Sequence, residues 1–185
     1  MKSLILGGVK SGKSRFAEQR VKHWVKQAGN SDASVIYLAT AENRKADDEF
    51  SGRILRHQLQ RPASWETIEE PVDISAIIAA ASGKHKFLLL ECLTLWLSNI
   101  LEDEALLAQR IDSFCGVLED YEGEIVLVSN ETGLGIMPTN LLARRFGDEL
   151  GLLHQRLASL CDEVVLTVAG LPHFLKHPQT PSTKQ

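Results

Sequence analysis

The eight residues Gly7-Gly8-Val9-Lys10-Ser11-Gly12-Lys13-Ser14 constrain this chain more than any other segment. They satisfy the pattern G-x-x-x-x-G-K-[ST], in which glycines let the backbone curl until successive N–H groups point at one anion. The apolar run Ser3–Leu6 reads as a strand before them, and Lys13–Ala28 reads as a helix after them. In that helix Phe16, Ala17, Val21, Trp24, Val25 and Ala28 form an apolar stripe, stopped by Gly29-Asn30. Strand, glycine loop and helix in this order aim the positive end of a helix at the same anion. Lys13 supplies a point charge for the β- and γ-phosphates of a nucleoside triphosphate, and the Ser14 hydroxyl suits Mg2+. A glycine-rich surface turn, the plain alternative, does not account for a strand on one side and a helix on the other. The residues expected at the nucleotide are therefore Gly7, Gly8, Val9, Lys10, Ser11, Gly12, Lys13 and Ser14.

The rest of the chain alternates in the same way. Ser34–Thr40, Trp65–Ile68, Lys86–Leu90, Glu124–Ser129 and Glu163–Val168 read as strands. Helical patterns lie over Ala46–Leu59, from Pro71 through Ala81, and over Leu95–Ile100, Glu104–Leu118 and Thr139–Leu160. Near-continuous apolar strands between amphipathic helices imply a mostly parallel sheet covered on both faces. The fold class is α/β, a RecA-like P-loop NTPase, expected as one domain over residues 1–172. Residues 173–185 belong to a stretch rich in Pro, Thr, Ser and Lys and are expected to be a mobile tail. A phosphate loop also wants an acidic residue at the end of a neighbouring strand to hold Mg2+ through water. Glu91 follows Phe87–Leu90 directly and fits; a solvated strand-end charge is its alternative.

Length and charge exclude several classes. A chain of 185 residues suits a single domain and leaves no room for a second module. Lys plus Arg is 20 against 24 for Asp plus Glu, a formal net charge of −4, so nothing attracts nucleic acid or an anionic membrane in bulk. The three cysteines, Cys92, Cys115 and Cys161, stand far apart and form no C-x-x-C pair, which removes zinc ribbons and dithiol redox chemistry. Buried single thiols, no signal-like apolar start and no apolar run of about 20 residues point to a cytoplasmic protein.

Several further segments occur together and in order. They are YLAT at 37–40, RILRHQLQRP from Arg53 to Pro62 with Trp65 behind it, LLLECLTLWLSN at 88–99 and SNETGLGIMP at 129–138. LARRFGDELGLLHQRLA at 142–158 and DEVVLTVAGLP at 162–172 complete the set. With the phosphate loop, these make the chain resemble the bifunctional adenosylcobinamide kinase / adenosylcobinamide-phosphate guanylyltransferase family of cobalamin biosynthesis, over about residues 1–172. The resemblance implies two reactions. ATP or GTP phosphorylates the hydroxyl of adenosylcobinamide, and GTP then donates GMP to adenosylcobinamide phosphate through a guanylylated histidine, releasing pyrophosphate. It implies GTP, ATP and Mg2+ as ligands and a homotrimer as the assembly.

The matching histidine is His57. By its surroundings alone it reads as a helix-surface histidine near Ile54, but a neutral imidazole is a competent nucleophile near pH 7. The resemblance adds its neighbours Gln58, Leu59 and Gln60 to the nucleotide site, with Ala39, Thr40 and Ala41 at the end of a strand. Thr40 could equally be a plain strand-end cap. Glu69 matches a position associated with the guanine nucleotide, where a carboxylate can accept two hydrogen bonds from the guanine edge; an exposed acid beside Glu70 is the alternative. Arg53 and Arg61 flank His57 and could hold phosphate oxygens. Asn130 and Glu131 open a loop that could contact corrinoid or phosphate, or serve as a structural turn. The long helix departs from the family at Gly147 and His154, where arginine and asparagine are common. His23, His85, His173 and His177 have no partners at ligand spacing. Three other functions stay open: a guanylyltransferase that lost the kinase step, a non-catalytic GTP-sensing module, and a generic small-metabolite kinase.

Overall fold

The alternating pattern resolves into one seven-stranded sheet in the computed structural model, which describes residues 1–29, 34–41, 62–83 and 85–178. The strands are β1 (Lys2–Gly7), β2 (Ser34–Ala39), β3 (Glu66–Glu69), β4 (Lys86–Glu91), β5 (Glu124–Asn130), β6 (Glu163–Val168) and β7 (Leu171–Lys176). Their spatial order is β3-β2-β4-β5-β1-β6-β7. The first six run parallel, and β7 lies antiparallel to β6. The described helices are α1 (Lys13–Ala28), α2 (Ile74–Ala80), α3 (Leu93–Ile100), α4 (Glu104–Asp120) and α5 (Leu141–Leu160). This is the expected α/β architecture of a P-loop NTPase. The helical pattern at Ala46–Leu59 lies outside the described residues.

Strand alternation sorts the core into two layers. Ile5, Val35, Tyr37, Ala39, Phe87, Leu89, Val126 and Val128 face α1, where Ala17, Val21 and Trp24 meet them. Leu4, Leu6, Ile36, Leu38, Leu88, Leu90, Ile125 and Leu127 face the opposite layer of α2 to α5. Both faces of each central strand are covered, which is why these segments are apolar at nearly every position rather than at every second one. Trp96 is fully buried in the second layer, edge-on to Phe114 at 5.3 Å, with its indole N–H donating to the Val72 carbonyl at 2.9 Å. On the α1 side, both oxygens of the buried Glu163 carboxylate accept from Nη2 of Arg20, at 2.6 and 2.5 Å, which ties α1 to β6.

Capping chemistry moves several boundaries. The helix expected from Thr139 starts at Leu141, because the Asn140 side chain accepts from the Ala143 N–H at 3.1 Å and caps it there. The helix expected from Pro71 starts at Ile74. Before it, the Glu70 carboxylate accepts from the N–H groups of Val72 and Asp73, at 2.9 and 2.8 Å. Cys92 is extended, and its carbonyl accepts from Leu95 and Trp96, so α3 begins at Leu93 rather than Leu95.

The expectation of a mobile tail is corrected for the residues up to Lys176. Ala169 and Gly170 both have positive φ, 53° and 80°, the conformation of a two-residue hairpin turn that matches strand twist. Leu171–Lys176 returns from that turn along β6. Pro172 does not prevent this, since β7 is the edge strand and needs no N–H on its outer side. Phe174 meets Phe16 of α1 edge-on at 6.5 Å. The Lys176 ammonium donates to the carbonyls of Ala158, Ser159 and Cys161 at 2.9, 3.3 and 2.6 Å, satisfying the carbonyl end of α5. We expect Lys176→Met to destabilise the protein by about 1–2 kcal/mol, the scale of lost charge-assisted bonds. A urea unfolding midpoint that falls with no change in slope checks this, whereas a mobile residue gives no shift.

Candidate active site

The sheet topology brings the loop after β1 and the ends of β2, β4, β5 and β6 to one edge. Open parallel sheets place ligands at this carboxyl edge. The loop itself is built by backbone conformation: Lys10 and Gly12 have positive φ, 56° and 96°, and Gly12 forms the N-cap of α1. The Ser11 N–H donates to the Gly8 carbonyl at 3.2 Å, and Phe16 N–H to the Gly12 carbonyl at 2.9 Å, which starts the helix. Gly7 has no room for a side chain: a β-carbon there would lie 2.4 Å from both the Ser11 and Thr167 hydroxyl oxygens.

Lys13 and Ser14 occupy the first turn of α1. The Lys13 ammonium donates to the Gly8 carbonyl at 3.3 Å, so it lies over the loop. Burial pushes its pKa below the ordinary lysine value, against the opposing pull of Cys92 and Glu91. The Ser14 hydroxyl donates to Oε1 of Glu91, the last residue of β4. Oε2 of the same carboxylate accepts from the Tyr37 hydroxyl at 2.8 Å. Tyr37 lies on β2, is 2% exposed, and points to the α1 side of the sheet with Glu91. One carboxylate is thus oriented from two sides, with a serine hydroxyl against it. That hydroxyl–carboxylate pair is a hard oxygen set of the kind a small divalent cation takes.

The other expected positions separate into groups. Ala39 is buried at the end of β2 and pairs with Glu69 on one side and Glu91 on the other. With strands about 4.8 Å apart, Glu69 and Glu91 stand roughly 10 Å from each other in one row. Glu69 is exposed, and Ala41 half-buried. The Thr40 side chain is fully buried, and its hydroxyl donates to the Cys92 carbonyl at 2.7 Å while accepting from the Cys92 N–H at 2.9 Å. Asn99 donates to the carbonyls of Thr40 and Pro71 at 2.9 and 3.0 Å. Thr40 therefore stitches the ends of β2 and β4 together. His57, Gln58, Leu59 and Gln60, with Arg53 and Arg61, lie outside the described residues. All three cysteines are buried and free, and burial raises each thiol pKa, that of Cys161 to about 12.

A second polar group borders the loop from the opposite layer; sequence reasoning named Glu131 and His154 separately and did not join them. The Glu131 N–H donates to the Gly7 carbonyl at 3.0 Å, joining the segment after β5 to the start of the phosphate loop. The Nε2 atom of buried His154, from α5, lies 2.8 Å from the Ser129 hydroxyl, and its Nδ1 lies 3.8 Å from a Glu131 carboxylate oxygen. Thr94 closes the group: its hydroxyl lies 3.3 Å from that of Ser129 and accepts from the Asn130 N–H at 2.7 Å. The signal was a histidine on the buried side of a helix, which single-residue reasoning cannot pair with a strand 25 positions away. Gly147, the other departure in α5, faces open space.

The family model described as cobinamide kinase / cobinamide phosphate guanyltransferase matches residues 3–175. The chain belongs to this family. It is 44% identical over 178 residues to the bifunctional adenosylcobalamin biosynthesis protein CobP of Pseudomonas aeruginosa, covering 95% of this chain and 98% of that protein. It is 37% identical to the bifunctional adenosylcobalamin biosynthesis protein CobU of Salmonella typhimurium and 34% identical to that of Escherichia coli, each covering 92% of this chain and 97% of the relative.

Burial holds the His154 pKa below the ordinary histidine value, and the Glu131 carboxylate opposes this. Nitrogen-15 or carbon-13 NMR titration of the imidazole should therefore give a midpoint below that of an exposed histidine. In Glu131→Gln the midpoint should fall further, because the one opposing charge is gone. A rise in that variant would contradict the assigned neighbourhood.

Proposed function

We propose that this chain phosphorylates adenosylcobinamide with ATP or GTP and then transfers GMP from GTP to adenosylcobinamide phosphate. What carries the reading is the meeting of Lys13, Ser14 and Glu91 at one point on the carboxyl edge, in a chain that matches the family along nearly its whole length. In the first reaction the substrate hydroxyl oxygen attacks the γ-phosphorus, its proton leaves, and a nucleoside diphosphate departs. The loop N–H groups between Gly8 and Ser14 and the Lys13 ammonium hold the phosphate oxygens and take up developing charge. Ser14 and Glu91 are the residues that would hold Mg2+, which when bound neutralises phosphate oxygens. Tyr37 keeps the Glu91 carboxylate turned toward Ser14.

In the second reaction a ring nitrogen of His57 attacks the α-phosphorus of GTP and pyrophosphate leaves. The substrate phosphate then attacks the same phosphorus, the P–N bond breaks, and His57 is restored. A neutral imidazole is suited to both halves, being a nucleophile near pH 7 and a leaving group from phosphorus. Glu69 would recognise the guanine edge, with Ala39, Thr40, Ala41 and residues 57–60 completing the nucleotide site. Glu69 shares the carboxyl edge with Glu91, which supports this. One phosphate loop serves both reactions.

A homotrimer is the proposed assembly, working in the cytoplasm on a small-molecule corrinoid. Support comes from the exposed apolar side chains after β5 and at the start of α5: Leu134, Ile136, Met137, Leu141 and Leu142 are 52–99% exposed, more than an isolated domain keeps in one stretch. No described helix is long and apolar enough to cross a membrane. A guanylyltransferase that lost the kinase step is not favoured, because the relatives that match along nearly the whole chain are bifunctional.

The test is incubation with GTP labelled in the α-phosphate, followed by mass spectrometry with adenosylcobinamide and ATP. Wild type should acquire acid-labile label and form both products. His57→Ala should lose the label and stop at adenosylcobinamide phosphate. Full labelling of that variant would remove His57 from the mechanism, and no turnover of adenosylcobinamide by wild type would favour a GTP-binding regulator instead. Tyr37→Phe should keep the fold and raise the Mg2+ concentration for half-maximal rate by about 3- to 10-fold, the scale of one hydrogen bond's net contribution. Direct titration of Mn2+ into the nucleotide complex should show the same shift.

A further inference from the structure

We infer that Thr167, near the end of β6, is a positioning residue for nucleotide binding, holding the phosphate loop in its curl through Ser11. The inference rests on reading residues 7–14 as the nucleotide site. It begins from a polar residue where the strand pattern calls for an apolar one. In Glu163–Val168 the neighbours of Thr167 are Leu166 and Val168, and valine has almost the same shape. Yet Thr167 is 1% exposed, and a buried hydroxyl is retained only where it has partners.

Its partners are Leu6, near the end of β1, and Ser11 in the loop. The Thr167 hydroxyl donates to the Leu6 carbonyl at 3.0 Å. A hydroxyl has one proton, so at the 3.0 Å contact with Ser11 it is the acceptor, and the Ser11 hydroxyl donates. The Ser11 carbonyl is also held, accepting from the Gly170 N–H at 2.8 Å. Ser11 is thus fixed at side chain and backbone from β6 and the turn that follows it. It is buried, while Gly8, Val9 and Lys10 before it are exposed.

The approach of the two segments leaves no slack. A β-carbon on Gly7 would lie 2.4 Å from the Thr167 and Ser11 hydroxyl oxygens, and one on Gly12 would lie 3.0 Å from the Gly170 α-carbon. Two glycines of the loop therefore serve the closeness of β6 and its turn, besides the curl toward phosphate. The turn is itself anchored by β7, whose Lys176 holds the end of α5. A loop fixed in this way does not have to be ordered when a nucleotide arrives, so its fixation shows in affinity and in KM. The hydroxyl touches no reacting atom, so kcat should not depend on it.

Calorimetric titration of the full chain with GTP and Mg2+ tests this, with steady-state kinetics on the same samples. Thr167→Val should raise the Kd and the KM for GTP about 5- to 10-fold at nearly unchanged kcat, the scale of a lost hydrogen bond that strands its donor. Thr167→Ser keeps the hydroxyl and should bind within about 2-fold of wild type. Ser11→Ala removes the same bond from the loop side and leaves β6 intact, so it should weaken binding to the same extent even if Thr167→Val folds poorly. Adding Thr167→Val to Ser11→Ala should then cost little more. The inference is overturned if Ser11→Ala binds GTP as wild type does, or if Thr167→Ser is as weak as Thr167→Val. A fall in kcat at constant KM would overturn it as well. A wild-type chain that binds neither GTP nor ATP would overturn the nucleotide reading itself, and this inference with it.

Discussion

The curl of residues 7–14 between β1 and α1 is the constraint on which the remaining structure depends. Gly7 cannot carry a side chain because two hydroxyl groups already occupy that space. Its carbonyl accepts from Glu131, so the segment after β5 is placed by the same residue. On the α1 side, Ser14 meets the carboxylate that ends β4, and that carboxylate is oriented in turn by Tyr37 of β2. On the β6 side, Thr167 and Gly170 hold Ser11. Groups from β4, from β6 and its turn, and from the segment after β5 therefore meet one loop of a few residues, and β2 orients one of them. Nearly rigid apolar layers on both sheet faces are what let such groups meet within hydrogen-bond distance.

The two layers contribute differently. The α1 layer carries the charged pair Lys13 and Glu91, where a triphosphate and its cation would be handled. The opposite layer carries His154, Ser129, Glu131 and Thr94, a group of hydroxyls, imidazole and carboxylate that ends on the Gly7 carbonyl. Burial disfavours the charged form of the His154 imidazole, which lies against the Ser129 hydroxyl and the Glu131 carboxylate. The exposed apolar segment from Leu134 to Leu142 leaves from this same group, which connects the proposed subunit surface to the loop by a short path. For a chain of 185 residues, surface shared between copies is the proposed source of the walls a bulky substrate needs.

The legible parts of the fold were those written in local chemistry. G-x-x-x-x-G-K-S has a fixed meaning for the backbone, and the doubly covered strands announce themselves as unbroken apolar runs. Glu91 could be picked out because it closes such a run. The illegible parts depend on partners far away in the chain. Nothing in Tyr37 foretells a carboxylate 54 positions on, and nothing in Thr167 foretells a serine 156 positions back. Strand β7 was hidden by Pro172 and by polar neighbours, which an edge strand tolerates and a central one does not. Thr40 reads either as a ligand contact or as a plain strand-end cap, and nothing beside it in the sequence foretells that its hydroxyl bonds Cys92, 52 positions on. His57 was reached through resemblance, since a lone histidine in a helical sequence pattern carries no signal of its own.

The central claim is that one preformed phosphate loop serves both reactions. Its most direct test is Lys13→Ala assayed for two products separately: phosphorylation of adenosylcobinamide, and GMP transfer to adenosylcobinamide phosphate supplied in advance. Both rates should fall together, by about 100-fold or more, the scale of losing one group that stabilises developing charge. Collapse of one reaction with the other intact would contradict the claim and require a second nucleotide site.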